Sequence, residues 1–439
     1  MTAPAQSSMT LTLYSTPSGI SIGSWRRVGS TSDRLLGLDL IAEIAQKCER
    51  AGLDALFLAD NVSTGSSDFR QALNYPLEPM VVLGALSAVT SKIGLIATGS
   101  TSFIEPYNLA RMMATIDHLS GGRAGWNIVT SFLGASNFST TDLDHDERYR
   151  MADEYLRVVT QLWDSWRDDA IVQDKASGMW ADPARVSPID FAGDFFQVRG
   201  PLNIPRSPQG WPVLAQAGSS PAGLSLASRW ADLVFTPQPT LEGAQRFYSA
   251  LKKQAKDNGR HPDSIRVLPG FVPIIGDTET EAKRLAEELL DLIDYEAGRA
   301  DLQRFIAPVD ITDLDLDEPI PHERLIHPDQ VQTGRTKYAQ LYDLATAGAS
   351  LRDLVRVKSS LTDHAHATGT AEQVADVMES YFTEGGCDGF MLTSPYMMGG
   401  LDAITDQLVP VLKERGLFRG DYEGTTLRDH LGLERPQGR

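Results

Sequence analysis

The chain lacks several features that define whole classes of protein. Its 439 residues contain only two cysteines, Cys48 and Cys387, too few for a disulfide framework and in keeping with a reducing compartment. No apolar run is long enough to span a bilayer. The first residues lack the basic region and apolar core of a secretory signal, so we expect a cytoplasmic protein.

Positive charge is also scarce. Forty Lys and Arg against 58 Asp and Glu leave a formal net charge of −18. This balance argues against nucleic acid and anionic membranes as partners, because both are polyanions. The remaining composition, 42% hydrophobic and 22% charged without a low-complexity tract, is ordinary for a soluble globular protein.

Motifs of several hydrolase classes are missing as well. There is no GxSxG nucleophile elbow and no CxxC pair, so no hydrolytic triad can be assembled. His364 and His366 resemble the paired histidines of metal-dependent barrel hydrolases, but they lie far along the chain without an obvious third ligand. We predict no bound metal and place this pair in a pocket wall, as candidate catalytic residues. His118 and His145 are interpreted as structural and surface residues.

Helix-like and strand-like segments alternate along most of the chain. Apolar residues from Ile41 to Cys48 recur at helical spacing, Gly52 ends that helix, and the strand LDALFLAD runs to Asp60. Further strand-like segments share a uniformly apolar composition: IGLIATGS, AGWNIVTS, PVLAQAG, ADLVFTP, IRVLPGFVPIIG and CDGFMLTSP. Such strands are buried on both faces, which indicates a parallel sheet covered by helices.

The predicted fold is α/β, a TIM (β/α)₈ barrel in one domain, residues 1–439. ERAGLDALFL and TEGGCDGFML echo each other near opposite ends of the chain, where the first and last units of a barrel become neighbours. A doubly wound open sheet is the competing architecture. We expect a hairpin-like insertion at about 168–210, an acidic candidate lid at about 298–335, and a C-terminal tail at about 416–439.

Polar residues follow four of the predicted strands. In a (β/α)₈ barrel, ligands bind where strands end, so these groups predict a shared site. Capping of the following helices is the alternative explanation for any one of them. The residues at these strand ends are Asp60, Ser100, Thr101, Asn127, Thr130, Ser131, Gly218, Ser219 and Ser220.

The stretch AQAGSSPAG predicts an anion cradle. Ser219 or Ser220 can cap a helix, and Pro221 suits its first turn. Free backbone N–H groups and the helix dipole would then attract an anion. No lysine follows and no GxGxxG is present, so a phosphate bound there would belong to neither ATP nor a dinucleotide.

The motifs RMMATIDHLSGGRAGWNIVTS, DHDERYRMADEYLRVVTQLWDSW and RGPLNIPRSPQGWPVLAQAGSSPAG resemble the bacterial luciferase-like flavin monooxygenases. Within that family, the similarity is to the branch of nitrilotriacetate, dibenzothiophene-sulfone and long-chain-alkane monooxygenases. FLADN and GLFRGDYEGTTLRDHLGL match as well, so the resemblance spans nearly the whole chain.

This resemblance implies a TIM barrel that binds reduced FMN from a separate NAD(P)H:flavin reductase and oxygenates a small organic substrate with O₂. It implies a homodimer or homotetramer. Residues Asp60, Thr101, Asn127 and Ser131 match family positions around the flavin. The phosphate-side positions are Tyr149, Ala217, Gly218, Ser219 and Ser220.

One departure concerns histidines. Trp25 and Arg26 match a family pocket motif, but Ile20, Ile22 and Arg27 stand where histidines are expected. DYEAGRADLQRF lacks another expected histidine, so the resemblance assigns no acid or base. An apolar pocket favours a hydrophobic or aromatic substrate, although the two arginines could equally hold an anion.

Three other functions stay open from the sequence. The chain could be a deazaflavin-dependent oxidoreductase, a non-catalytic flavin-binding barrel, or a metal-dependent barrel hydrolase. Nor does the sequence choose between hydroxylation and cleavage of a C–S, C–N or carbon–halogen bond.

Overall fold

The computed structural model contains a closed barrel of eight parallel strands. It describes residues 8–63, 77–131, 134–139, 143–218, 220–330, 335–359 and 364–438. The strands in this part of the chain are β1 (Thr10–Tyr14), β2 (Ala55–Leu58), β3 (Gly94–Ser100), β4 (Ala124–Val129), β5 (Ile171–Asp174), β6 (Met179–Ala181), β7 (Phe191–Ala192), β8 (Gln197–Val198), β9 (Val213–Ala217), β10 (Leu233–Thr236), β11 (Arg266–Ile275), β12 (Ala365–Gly369) and β13 (Gly389–Thr393).

The barrel closes through β1. The wall follows the order β1, β2, β3, β4, β9, β10, β11 and β13, and β13 pairs in parallel with β1. β12 pairs with the second half of the long strand β11. The predicted TIM barrel is therefore confirmed, and an open doubly wound sheet is excluded. The two echoing segments, on β2 and β13, flank β1, a strand that the sequence analysis did not identify.

Side chains along each strand alternate between the barrel lumen and the surrounding helices. On β1, Leu11 and Leu13 pack in the large apolar cluster beneath the helices, whereas Tyr14 borders a separate cluster inside the lumen. This period of two is the pleat of any strand. It means that every second residue of each strand can reach a ligand in the barrel.

Helices cover the outside of the barrel. The predicted helix before β2 is confirmed, with Ile41, Ile44 and Cys48 on its buried face, and it ends at Gly52 in the left-handed conformation (φ 89°). The α-helices of the described residues are α1 (Leu38–Ala51), α2 (Pro79–Ser87), α3 (Pro106–Ser120), α4 (His145–Trp163), α5 (Pro221–Trp230), α6 (Leu241–Asp257), α7 (Glu279–Asp291), α8 (Tyr295–Phe305), α9 (Arg335–Thr346), α10 (Leu351–Ser359), α11 (Ala371–Thr383), α12 (Gly399–Ala403), α13 (Val409–Glu414) and α14 (Leu427–His430). None of them is both long and apolar enough to cross a membrane.

The segment 168–210 carries two antiparallel strand pairs, β5–β6 and β7–β8. Glu154 on α4 holds this insertion against the barrel. Its carboxylate accepts hydrogen bonds from the backbone N–H groups of Asp194, Phe195 and Phe196 at 2.8–2.9 Å. The insertion is thereby fixed beside the middle of α4.

The candidate lid, 298–335, belongs to a larger helical insertion between β11 and β12. Helices α8, α9 and α10 surround an apolar core of their own, which includes Leu302, Ile311, Leu341 and Leu354. Ile22, at one of the missing histidine positions, packs on this core. The insertion is thus a packed helical unit rather than a bare loop, and its role as a lid stays a prediction.

The tail 416–438 closes the end of the barrel opposite the site. Leu427 of α14 and Leu431, the residue that follows this helix, are buried within the lumen cluster. Leu427 lies so close to Gly94 that a Cβ atom there would come within 2.3 Å of its Cδ1. Arg419 forms a buried ion pair with Asp54, which also accepts a 2.7 Å hydrogen bond from the Leu11 N–H.

Candidate functional site

Aromatic rings form the floor of the open barrel end. Tyr14 stacks between Phe57 and Phe235, with ring centroids 5.9 and 6.2 Å from its own. The three residues come from β1, β2 and β10, and their strand positions point inward. The sequence analysis missed this layer, although the alternation of TLTLY on β1 is the signal of a strand with one residue in two facing the lumen.

Asn127 lies inside the barrel and is 3% exposed. Its Nδ2 donates a 2.8 Å hydrogen bond to the Thr98 hydroxyl, which in turn donates to the Leu58 carbonyl at 3.0 Å. Its Oδ1 has no partner among the residues that the structure describes. A buried amide oxygen without a donor is costly, so this acceptor is suited to a ligand N–H group.

The N-terminus of α5 opens at the same end of the barrel. Ser220 caps the helix by accepting the Gly223 N–H at 3.1 Å, and Pro221 is the first helical residue. The Tyr149 hydroxyl of α4 lies 3.5 Å from the Ser220 hydroxyl. Ala217 ends β9, Gly218 follows it, and Ser219 lies outside the described residues.

A cavity of about 380 Å³ adjoins this region. Thr101 and Ser131, which follow β3 and β4, both line it. Its wall also contains the parallel stacked rings of Phe103 and Phe138, 4.3 Å apart, and Phe196 from the hairpin insertion. The lining combines apolar surface with a few hydroxyl groups, as small-molecule pockets usually do.

Three further predicted residues are Asp60, Trp25 and Arg26. Asp60 follows β2 and is half-buried, and this burial, with Glu78 nearby, raises the pKa of its carboxyl group. Trp25 is half-buried in a 3₁₀ turn, Ser24–Arg26. Arg26 is exposed and donates to the Leu292 carbonyl beyond α7, at 2.7 Å. Its place in a substrate pocket stays a prediction.

Arg27, the other arginine of this segment, contacts two residues that are distant in the sequence. Its guanidinium donates to Glu288 at 3.0 Å and lies 4.4 Å from the centre of the Tyr396 ring. This side chain therefore joins the N-terminal segment to α7. Such a pairing offsets the charge that an anionic ligand would need.

The structure separates the two candidate catalytic histidines. His366 on β12 is exposed, and its Nδ1 lies 3.3 Å from the His364 carbonyl. The His364 ring, by contrast, lies 5.6 Å from the Phe235 ring at the barrel floor. Only His364 thus reaches the aromatic layer.

Comparison with known proteins identifies the class. The profile of the luciferase-like monooxygenase family matches residues 19–389. The chain is 42% identical to N-acetyl-S-(2-succino)cysteine monooxygenase of Bacillus subtilis (strain 168), over 96% of both chains. It is 38% identical to nitrilotriacetate monooxygenase component A of Aminobacter aminovorans, over 96% of this chain and 95% of that one. The solved structure of a riboflavin lyase with modified FMN and riboflavin has a TM-score of 0.85 at 32% identity, covering 98% of this chain and 97% of that one.

A closed (β/α)₈ barrel with polar groups at its strand ends defines a TIM-barrel enzyme. The chain belongs to the luciferase-like monooxygenase family, and it is an oxidoreductase. The branch expected from the motifs is confirmed, because nitrilotriacetate, dibenzothiophene-sulfone and long-chain-alkane monooxygenases are all among its relatives.

Proposed function

We propose that this chain is the oxygenase component of a two-component flavin-dependent monooxygenase. It would take reduced FMN from a separate NAD(P)H:flavin reductase and use O₂ to oxygenate a small hydrophobic or aromatic compound. The observation that carries this proposal is the buried Oδ1 of Asn127, which has no partner within the described part of the chain, in a barrel whose mouth also holds the N-terminus of α5. We also expect a homodimer or homotetramer.

The residues present fit the two ends of FMN. A single phosphate suits the first turn of α5, where backbone N–H groups and the helix dipole favour an anion. The hydroxyl groups of Ser220 and Tyr149 supply hydrogen bonds beside it. A planar ring system suits the aromatic floor, and Asn127 can accept a hydrogen bond from its edge.

When bound, reduced FMN supplies the electrons that activate O₂. The chain's part is to orient the reactants and to exclude water. Thr101 and Ser131 join the flavin region to the adjoining cavity, where Phe103, Phe138 and Phe196 offer apolar contacts to a substrate. The packed insertion of α8 to α10 is our candidate for the cover that shields the reaction from solvent.

The test begins with binding and ends with products. Oxidised FMN and a deazaflavin are titrated separately, with flavin fluorescence as the readout. Reduced FMN is then generated by a flavin reductase under ¹⁸O₂ in the presence of thioethers, aromatic amines and haloarenes. We expect FMN binding and an ¹⁸O-labelled product from one of these classes, whose structure identifies the bond attacked.

Other results would select the alternatives. Preferential binding of the deazaflavin would replace the proposed function with a deazaflavin-dependent one. FMN binding with hydrogen peroxide as the sole oxygen-derived product, across all three substrate classes, would favour a flavin-binding barrel without oxygenase chemistry.

A further inference from the structure

His364 occupies lumen space that a glycine leaves open. Gly270 of β11 stands opposite Met391 of β13, a residue of the lumen cluster. A Cβ atom on Gly270 would lie 2.6 Å from Nδ1 of His364 and 2.9 Å from Cε2 of Phe235. Because that Cβ would point into the barrel, the imidazole must lie on the lumen side of β11. The absence of a side chain at Gly270 makes room for it.

Strand pairing holds this histidine in place. Ala365, the next residue, pairs with Phe271 at the start of the β11–β12 ladder. The ring is half-buried, with its Nδ1 edge against Gly270, which leaves Nε2 on the opposite edge. An imidazole in this orientation can offer one nitrogen to a ligand above the aromatic floor.

Other histidines whose side chains the structure describes lie elsewhere. His118 is exposed and bonded to the Pro205 carbonyl, and His430 lies in the tail beside Tyr422. His261, His322, His327 and His366 lie outside the lumen, the first at an exposed turn, the next two in or beside the helical insertion, and the last on β12.

We propose that His364 is a catalytic residue in the barrel lumen, in contact with the bound flavin and substrate. The inference rests on the proposed function. Substrate, O₂ and reduced FMN there become oxygenated substrate, oxidised FMN and water. Nε2 of His364 donates a proton to the oxygen atom that leaves as water, and it regains one of the two protons given up by the reduced flavin. His364 would thus supply the proton transfer for which the family histidines are missing in this chain.

Chemical labelling tests the contact without turnover. Diethyl pyrocarbonate modifies exposed imidazoles, and peptide mass spectrometry reports each histidine separately. We expect saturating oxidised FMN to slow modification of His364 at least fivefold. His366 is the matched control, because it lies only two residues away, on β12, and is exposed, and its rate should change less than twofold.

Variants test the chemistry. His364→Gln keeps a hydrogen-bond donor near Nε2 but cannot exchange a proton, so product formed per reduced flavin should fall about tenfold while peroxide rises. His366→Ala should match the wild type. Gly270→Ala keeps both histidines but displaces the ring, and it should resemble His364→Gln.

The outcomes separate this inference from the proposed function. Wild-type protein that does not bind FMN would overturn both. Binding of FMN without protection of His364, or with coupling in His364→Gln within twofold of the wild type, would overturn only the role of His364.

Discussion

Replacing Asn127 with alanine should weaken flavin binding while leaving the free protein nearly as stable as before. In the free protein the substitution removes one hydrogen bond, from Nδ2 to Thr98 at 2.8 Å, which contributes about 1 kcal/mol. It also removes the buried Oδ1, which lacks a donor among the described residues and whose burial therefore costs about 1–3 kcal/mol. These effects oppose each other, so the free energy of unfolding should stay within about 1 kcal/mol of the wild type.

The substitution should cost the FMN-bound protein more free energy than the free protein. If Oδ1 accepts a hydrogen bond from FMN, its removal costs about 1–1.5 kcal/mol of binding free energy, which corresponds to about a tenfold higher Kd. Fluorescence titration with FMN measures the Kd, and urea denaturation measures stability. Thr98→Val is the control, since it removes the partner hydroxyl but retains the Asn127 amide, and its effect on Kd should be smaller.

Two results would refute this reasoning. A Kd within twofold of the wild type would mean that Asn127 does not contact the flavin. A loss of more than about 2 kcal/mol of stability would mean that the amide is a structural group whose oxygen is satisfied in the free protein.

Two further predictions concern a helix cap and a buried histidine. Ser220→Ala should cost about 1 kcal/mol of stability and raise the Kd for FMN about five- to tenfold. Thr370→Ala, at the cap of α11, is the control and should cost the same stability without changing the Kd. Equal Kd values in both variants would contradict the phosphate site. Burial, together with Arg419, lowers the pKa of His430 to about 4 from 6.5. The unfolded chain therefore takes up this proton first, so the free energy of unfolding should decrease as pH falls from about 6.5 to 4, and His430→Phe should flatten that slope in urea denaturation at each pH. An unchanged slope in the variant would assign the acid sensitivity to other groups.

Local patterns were sufficient for the framework of the protein. Uniformly apolar segments that alternate with helix-like segments predicted a parallel sheet covered by helices, since only a sheet covered on both faces buries such strands. The echo between the segments on β2 and β13 favoured closure of that sheet into a barrel. A serine cap at Ser219 or Ser220 followed from the residue types, because Ser before Pro can satisfy the first free N–H groups of a helix, and the structure shows that Ser220 is the cap. Strand β1 was missed, since an alternation of only five residues, TLTLY, is a weak signal beside an unremarkable N-terminus.

The contents of the site needed the tertiary structure. Tyr14 and Phe235 are separated by more than two hundred residues, and only closure of the barrel stacks them. Sequence spacing treated His364 and His366 alike, yet pairing of β12 with β11 places one ring over Gly270 in the lumen and leaves the other exposed. Periodicity specifies which face of an element is apolar, because that depends on neighbours along the chain. Which side chains share a cavity depends on strand order and register, which arise only when distant segments pair.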